Sequence, residues 1–418
     1  MYNMYKDKSL KYHKKNPKGK IKVSITKPIN KKKHLSLAYS PGVAEPCKII
    51  SKNKNKVFDY TSKGNLIGII SNGTSVLGLG NIGAEASKPV MEGKSMIFKK
   101  FAGIDAFDIE INEKNPHSFI KIVKSLEPTF GGINLEDIKS PECFRIEKTL
   151  KKEMNIPVMH DDQHGTAIVT SAALMNSLKI INKKIENIKL VVSGAGAAAI
   201  SCIETYIELG LKKKNIIVFD RNGIINENRK NLSKIKLKFV TKKNKIKNIT
   251  EAIKNSDMFL GLSTGNVLKR EHIKSMARDP IVFALANPNP EISYYDAINS
   301  RDDIIFATGR SDYPNQINNA MVFPYIFRGA LDVRAKKINK EMKIAAIKSL
   351  YKLSSKNNKK NIDFNKKNIV PDIMNKELIT TISPAVAKAA IESGVSQKKI
   401  KNWDLYNYKL KNIVKNNY

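Results

Sequence analysis

The chain has 418 residues, 41% of them hydrophobic, and a formal net charge of +36. That length predicts two or three domains of roughly 150 residues each, and the apolar share suffices for real cores, which excludes a fibrous or disordered protein. No apolar run approaches the roughly 18 residues of a membrane helix.

Residues 1–20, MYNMYKDKSLKYHKKNPKGK, form a basic arm without the apolar stretch of a secretory signal. Cys47, Cys143 and Cys202 lie far apart and make no CxxC. They fit a reducing cytoplasm and no disulfide framework. A strongly positive chain attracts phosphate, so a nucleic-acid partner is one reading of the charge. Lys, Asn and Ile, however, are spread through every loop. There is no zinc-finger spacing, no RNP-type aromatic pattern and no basic arm interleaved with aromatics. The charge reads as a compositional bias, and nucleic acid is not the expected partner.

From residue 21 strand and helix signals are mixed. NLIGII (65–70) reads as a buried strand, SNG (71–73) as a turn and FDIEI (107–111) as a strand of alternating polarity. SFIKIVKSL (118–126) has helical spacing and ends before Glu127-Pro128, and Gly131-Gly132 reads as a further break. From 157 the texture changes. IKLVVS, NIIVFD, MFLGLS, IVFALA and IIFATG alternate with helix-length segments, which predicts a parallel, doubly wound sheet. Basic loops near 241–248 and 355–367 read as mobile. From about 323 the pattern is mostly helical, with Gly394 as a C-terminal cap. The expected division is a basic arm 1–20, a mixed α/β domain 21–156, a Rossmann-type domain 157–375 and a helical segment 376–418.

Two glycine fingerprints compete for a dinucleotide. VVSGAGAAAI supplies a strand, Gly194 for the turn, Gly196 for close approach to phosphate and Ala199 for helix packing. A second strand then ends at Asp220, at about the ~20-residue spacing of a ribose-binding acid. GLGNIG (78–83) is followed within two turns by Pro89, which predicts a helix kinked or broken early, and its nearest acids, Asp105 and Asp108, do not end a strand. The Gly194 motif is the expected cofactor site; the other can equally mark a tight turn with close backbone packing.

Acids come in pairs, Glu136-Asp137 and Asp161-Asp162, the second flanked by His160 and His164. Adjacent carboxylates need a counter-charge if buried, and a hard divalent cation is one remedy; solvated acids at a loop and a helix start are the other reading. No nearby cysteine supports a structural zinc site. Lys94 and Tyr39 have nothing in their immediate sequence that separates them from a solvated lysine and a packed tyrosine. Asn287, Asn318 and Asn319 lie at strand ends or turns, where doubly wound sheets bind ligands and where asparagine is also common for local reasons.

Taken together, LSLAYSPGVAEPC, SNGTSVLGLGNIGAEASKPVMEGK, FKKFAGIDAFDIE, EPTFGGINLEDIK, HDDQHGTAI, VVSGAGAAAI, FALANPNPEI and TGRSDYPNQINNAMVFPYIFRGALDV resemble segments of the malic enzyme family, in the family's order, from about residue 20 to about 415. The similarity is greatest to the bacterial NADP-dependent form, whose longer members carry a phosphotransacetylase-like domain. The resemblance implies an α/β protein: an N-terminal mixed α/β catalytic domain, then a Rossmann-type doubly wound parallel-sheet NAD(P)-binding domain, then C-terminal helices. It implies that Lys94 is the general base, Tyr39 the general acid and Asp161 an acid beside Lys94. Glu136, Asp137 and Asp162 would hold Mg²⁺ or Mn²⁺. Gly194, Gly196, Ala197, Ala198, Asp220, Arg221 and Asn287 would meet the cofactor, and Tyr39, Lys94, Asn287 and Asn319 the substrate. The implied reaction is oxidative decarboxylation of L-malate to pyruvate and CO₂ with reduction of NADP⁺, or of NAD⁺, by a homo-oligomer in the cytoplasm.

Three departures qualify the resemblance. Thr74-Ser75 stand where larger eukaryotic members have a substrate-binding arginine, so one carboxylate partner is unassigned. VFDRNG pairs Asp220, which favours NAD by the ribose argument, with Arg221, which could meet a 2′-phosphate. The chain stops about where the phosphotransacetylase-like domain would begin, so acetyl-CoA regulation seated there is expected to be absent. Two alternatives keep the motifs but not the reaction: a sibling that only decarboxylates or reduces oxaloacetate, and a basic nucleic-acid-binding protein on a relic enzyme fold.

Overall fold

The structure is a computed structural model. It describes residues 2–417 except 77, 243–245 and 357–364; the centres of both basic loops read as mobile thus lie outside the described residues. The first sheet holds β1 (Leu66–Ser71), β2 (Asp105–Glu110), β3 (Gly132–Leu135) and β4 (Val158–His160), all parallel, in the order β2-β1-β3-β4. β1 is buried along its whole length, as a strand covered on both faces should be, and this is why it reads as one apolar run.

Two local expectations fail here. Gly131-Gly132 is no break: Gly132 opens β3 and pairs with Ile67 of β1. A Cβ on Gly131 would lie 2.4 Å from the Lys63 carbonyl oxygen, so the glycine admits a close crossing of chains. Pro89 does not break the helix it enters, which runs without interruption over Ala84–Ala102. Proline inside a helix costs about 3 kcal/mol. The same helix buries Met91, Phe98 and Phe101, each contributing about 1.5–3 kcal/mol, and Phe98 packs edge-on to Phe323 and Phe327 at 4.8 and 5.5 Å. The packing outweighs the proline.

β4 lies beyond the expected boundary at 156 yet pairs with β3, so the first sheet extends one strand further than the change of texture suggests. The residue after it, Asp161, begins the 20-residue helix Asp161–Ile180, which is buried on nearly every side and packs on the helix Ala197–Glu208.

The second sheet comprises β5 (Leu190–Ser193), β6 (Ile216–Asp220), β7 (Gly223–Ile224), β8 (Met258–Gly261), β9 (Ile281–Ala284) and β10 (Ile305–Thr308). Its order is β10-β9-β8-β5-β6-β7, parallel except for the β6–β7 pair. The chain leaves β5 to one side for β6 and returns to the other side for β8. That reversal opens a crevice at the carboxyl ends of β5 and β8, where doubly wound sheets bind ligands. The helices Phe323–Asp332, Lys340–Lys356, Glu377–Glu392 and Trp403–Asn417 close the structure, and the first and last of them pack on Ala84–Ala102. Gly394, at φ +73°, follows the C-cap Ser393 in the left-handed conformation that ends a helix. One buried cluster runs from Ile67 and Phe98 through Val192 and Ile281 to Ile347, so the two sheets share a core. No helix among the described residues is long and apolar enough to cross a membrane.

Candidate active site

The GLGNIG loop leads from β1 to the helix Ala84–Ala102. Gly73, Gly78, Gly80 and Gly83 all have φ between +64° and +87°, a region costly for any residue with a Cβ. Ile82 and Gly83 both donate their N–H to the Gly73 carbonyl at 3.1 Å, closing the loop into a ring. A Cβ on Gly78 would stand 2.2 Å from the carbonyl oxygen of Asn287, so this loop lies against the segment after β9. Its work is to launch the helix Ala84–Ala102 that carries Lys94. The Gly194 motif has the other geometry. Gly194 turns at φ +115° against the Leu262 carbonyl, 2.4 Å from where its Cβ would be, whereas a Cβ on Gly196 would meet nothing within 4 Å. Gly196, Ala197 and Ala198 line a cavity of about 620 Å³ between the sheets, and Lys94, Glu136, Asp137, Asp162, Asn287 and Asn319 line it too.

Lys94 Nζ lies 2.8 Å from Glu136 Oε1, also pairs with Asp161 Oδ2, and sits 4.1 Å from the centre of the Phe323 ring. Burial alone would lower its pKa, but Asp161, then Glu136 and Asp162, hold it well above its ordinary value. Burial and the Asp162 carboxylate push Glu136 well above the usual carboxylate range, against the pull of Lys94. Asp161, fully buried, is raised by burial, with Lys94 opposing. Asn319 Nδ2 donates to Asp161 Oδ2 at 3.2 Å, and Thr166 Oγ1 donates to Asn319 Oδ1 at 3.1 Å, so the asparagine fixes the acid while facing the cavity.

Glu136, Asp137 and Asp162 bring one carboxylate oxygen each to within 4.8 Å of one another. Asp137 sits at φ +53°, and its N–H donates to Asp162 Oδ2 at 2.9 Å. Thr74 and Ser75 tether this turn: Lys139 N–H donates to Thr74 Oγ1 at 3.0 Å, and Ser75 N–H to the Asp137 carbonyl at 3.0 Å. A further buried acid, Glu147, accepts from His160 N–H at 3.0 Å and contacts His164 Nε2 at 2.9 Å, which props the start of the Asp161 helix from behind. The donor set fits a hard divalent cation: three carboxylates and no thiolate, crowded closely enough that one ion can bridge them.

Not every residue singled out in the sequence comes to the cavity. Tyr39 ends the short helix Lys32–Ala38 and is 71% exposed; it does not line the cavity. Asp161 and Gly194 stand behind the wall. Asp220 and Arg221 lie at the end of β6, outside the cavity lining, and the Asp220 carboxylate is engaged by Arg229, Lys236 and the Asn222 N–H. Sequence reasoning missed Phe323, the ring beneath Lys94, which reads as an ordinary core residue. It missed Thr166, one turn beyond Asp162. It also missed Glu291, fully buried, which accepts from Ser263 N–H and Ala286 N–H at 3.0 Å and so ties the carboxyl ends of β8 and β9 together. Its only signal was an acid placed after NPNP.

Fold and site thus define a two-sheet α/β protein in which a dinucleotide-type crevice opens onto a buried lysine and a carboxylate cluster. Residues 18–151 match the family of the malic enzyme N-terminal domain, and residues 163–393 that of the malic enzyme NAD-binding domain. The chain is 51% identical to an NADP-dependent malic enzyme of Escherichia coli K12, over 99% of this chain and 56% of that protein. It is 47% identical to an NADP-dependent malic enzyme of Halomonas elongata, over 93% and 94%. The crystal structure of malic enzyme from Pyrococcus horikoshii superposes with a TM-score of 0.91 at 43% identity, covering 99% of this chain and 96% of that one. The chain belongs to the malic enzyme family. It spans a little over half the length of the first of these relatives.

Proposed function

We propose that this protein is a divalent-metal-dependent enzyme that oxidatively decarboxylates L-malate to pyruvate and CO₂ while reducing NADP⁺ in preference to NAD⁺. The observation that carries the reading is Lys94 held between Glu136 and Asp161 at the edge of the Glu136–Asp137–Asp162 cluster, in the same cavity as Gly196–Ala198. In this role Lys94 takes the C2 hydroxyl proton, and Asp161, already paired with it, holds or passes that proton. Bound nicotinamide supplies the hydride acceptor, and bound Mg²⁺ or Mn²⁺ at the three carboxylates supplies a Lewis acid whose charge also offsets the acids that now keep Lys94 protonated. Asn319 and Asn287 orient the substrate, and Phe323 excludes water beneath the lysine. Three free cysteines, two of them buried, support a reducing location such as the cytoplasm.

Tyr39 is assigned as the acid that protonates C3 of the product enol, and its exposure leaves the site incomplete within one chain. The segment around it is unusual. Val23, Ile25, Leu35, Leu37 and Tyr39 are all at least 50% exposed, and the helices Lys32–Ala38 and Ala44–Lys52 bury no residue. So much apolar surface on one arm marks an interface. We assign it to a second copy of the chain, with Tyr39 completing the partner's cavity.

The test is absorbance at the reduced-nicotinamide band with purified protein, L-malate and Mn²⁺, comparing NADP⁺ and NAD⁺ and including a chelator. Malate-dependent reduction is expected, abolished by chelator and cut by about 10²–10⁴ in Lys94→Ala, the range of a lost general base. Folded protein that turns over oxaloacetate but never malate would overturn the reading.

A further inference from the structure

In a dinucleotide fold the acid that ends the second strand ordinarily accepts hydrogen bonds from the hydroxyls of the adenosine ribose. Asp220 stands there, but its carboxylate is already filled. Oδ1 accepts from Asn222 N–H at 2.9 Å and Arg229 Nη1 at 3.1 Å; Oδ2 accepts from Lys236 Nζ at 2.6 Å and Arg229 Nη2 at 3.3 Å. A carboxylate offers about four lone-pair sites, and four donors occupy them. The side chain is only 6% exposed.

The cations are held as firmly as the acid. Arg229 Nη1 also approaches the carbonyl oxygens of Gly223 and Ile224, at 3.5 and 3.3 Å. Those residues form β7, which doubles back on β6 and folds the arginine over the strand end. Arg229 and Lys236 are each partly exposed, so both present an open side beyond the pair with Asp220. With exposed Arg221 beside them, the strand end carries surplus positive charge. A ribose diol would have to displace a lysine and an arginine from a buried carboxylate, leaving charges unpaired. A phosphate ester brings close to two negative charges and three acceptor oxygens to the open sides of the two cations and leaves their pairing with Asp220 in place.

We propose that Arg229 and Lys236 form the binding site for the 2′-phosphate of a phosphorylated nicotinamide dinucleotide, with Asp220 as the counter-ion that positions them and not as the ribose ligand. The proposal rests on the cofactor reading of the Gly194 loop and adds to it the residues that choose between the two coenzymes.

The experiment is calorimetric binding of adenosine 2′,5′-bisphosphate and of AMP to the intact chain, which reads the adenosine half without turnover. The parent protein is expected to bind the bisphosphate at least tenfold more tightly than AMP. Arg229→Gln and Lys236→Gln are each expected to weaken the bisphosphate about tenfold and to leave AMP within about twofold. Asp220→Asn is expected to leave AMP unchanged. Weaker AMP binding in Asp220→Asn with the bisphosphate unaffected would make Asp220 the ribose ligand and overturn the proposal. Equal loss of both ligands in Lys236→Gln, the more exposed of the two cations, would reduce the cluster to a clamp on the β6–β7 hairpin and overturn it as well. AMP bound with no preference for the 2′-phosphate defeats this proposal alone, whereas failure to bind AMP, the bisphosphate or either whole coenzyme defeats the cofactor reading beneath it.

Discussion

Asp137 shows most clearly what the site asks of a single residue. It is buried beside the carboxylates of Glu136 and Asp162 and sits in a left-handed conformation, and both features are costly for an aspartate. Asparagine tolerates that conformation, so Asp137→Asn should keep the turn while removing one charge. The metal-free variant is expected to melt a few degrees above the parent, and its gain in melting temperature on adding Mn²⁺ should largely vanish. Paired melts with and without metal check this, and an unchanged Mn²⁺ response would dismiss the cluster as a metal site. The thiols give a second test. Burial first, and the Asp162 carboxylate after it, push Cys143 up to about 12, while burial pushes Cys202 to about 12. Both stay as unreactive thiols at pH 8, so a thiol reagent should label neither until the protein is denatured. Asp220 sets the pH behaviour of its hairpin. Burial would raise it, but hydrogen bonds from Arg229, Lys236 and Asn222 hold it at about 2, below its ordinary 3.8. The stability these bonds give is therefore fully present above about pH 4 and is lost as pH falls through about 2. In chemical denaturation, Asp220→Asn should trail the parent by a constant margin from pH 5 to 8, and a margin that shrank within that window would contradict the assignment.

At the scale of elements, the glycine loops carry the geometry. Gly78 is where the loop feeding the Lys94 helix touches the backbone of Asn287, and a methyl group there has no room. Gly78→Ala should push the two segments apart by a fraction of an ångström to an ångström, enough to cost about 10² in kcat/KM, with an unchanged far-UV spectrum. Full activity in that variant would mean the contact is incidental. The same scale explains what was legible beforehand. The strands of the second sheet that run buried between helices read directly as apolar runs. β3 and β4 did not: one opens on glycine, the other spans only three residues behind Pro157, and neither is long enough to show a period. The Lys94 helix was obscured by Pro89, because a local rule cannot weigh three buried aromatic and sulfur-bearing side chains against one missing N–H. The paired acids stood out as pairs, and the choice between glycine motifs followed from what came after each. That Lys94 meets Glu136 from the end of β3 and Asp161 from the end of β4 is a fact of strand order, which no spacing in the chain encodes. The ring of Phe323 and the buried carboxylate of Glu291 looked like core and loop for the same reason.

At the scale of the whole molecule, the exposed arm is what ties the proposed role of Tyr39 to a second copy of the chain. If Tyr39 serves the neighbouring cavity, Tyr39→Phe and Lys94→Ala proteins are each inactive alone but complement when mixed and allowed to exchange subunits. Random pairing would restore roughly a quarter of the sites. Activity that stays at baseline after verified exchange would place the tyrosine in its own chain. The helix Asp161–Ile180 ties the molecule together in a further way. It begins with two acids that face Lys94 and the carboxylates at the strand ends of the first sheet, and it packs on the helix Ala197–Glu208 that follows β5; the change of texture falls just before those acids, and the two family matches, ending at 151 and resuming at 163, leave them in the gap. Anyone recombining this protein with a relative at the change of texture, to exchange one coenzyme preference for another, would therefore inherit the donor's Asp161 and Asp162 along with its nucleotide crevice. A crossover placed after Ile180 keeps the recipient's own pair, and chimeras cut on either side of that helix should differ in their metal requirement as well as their coenzyme.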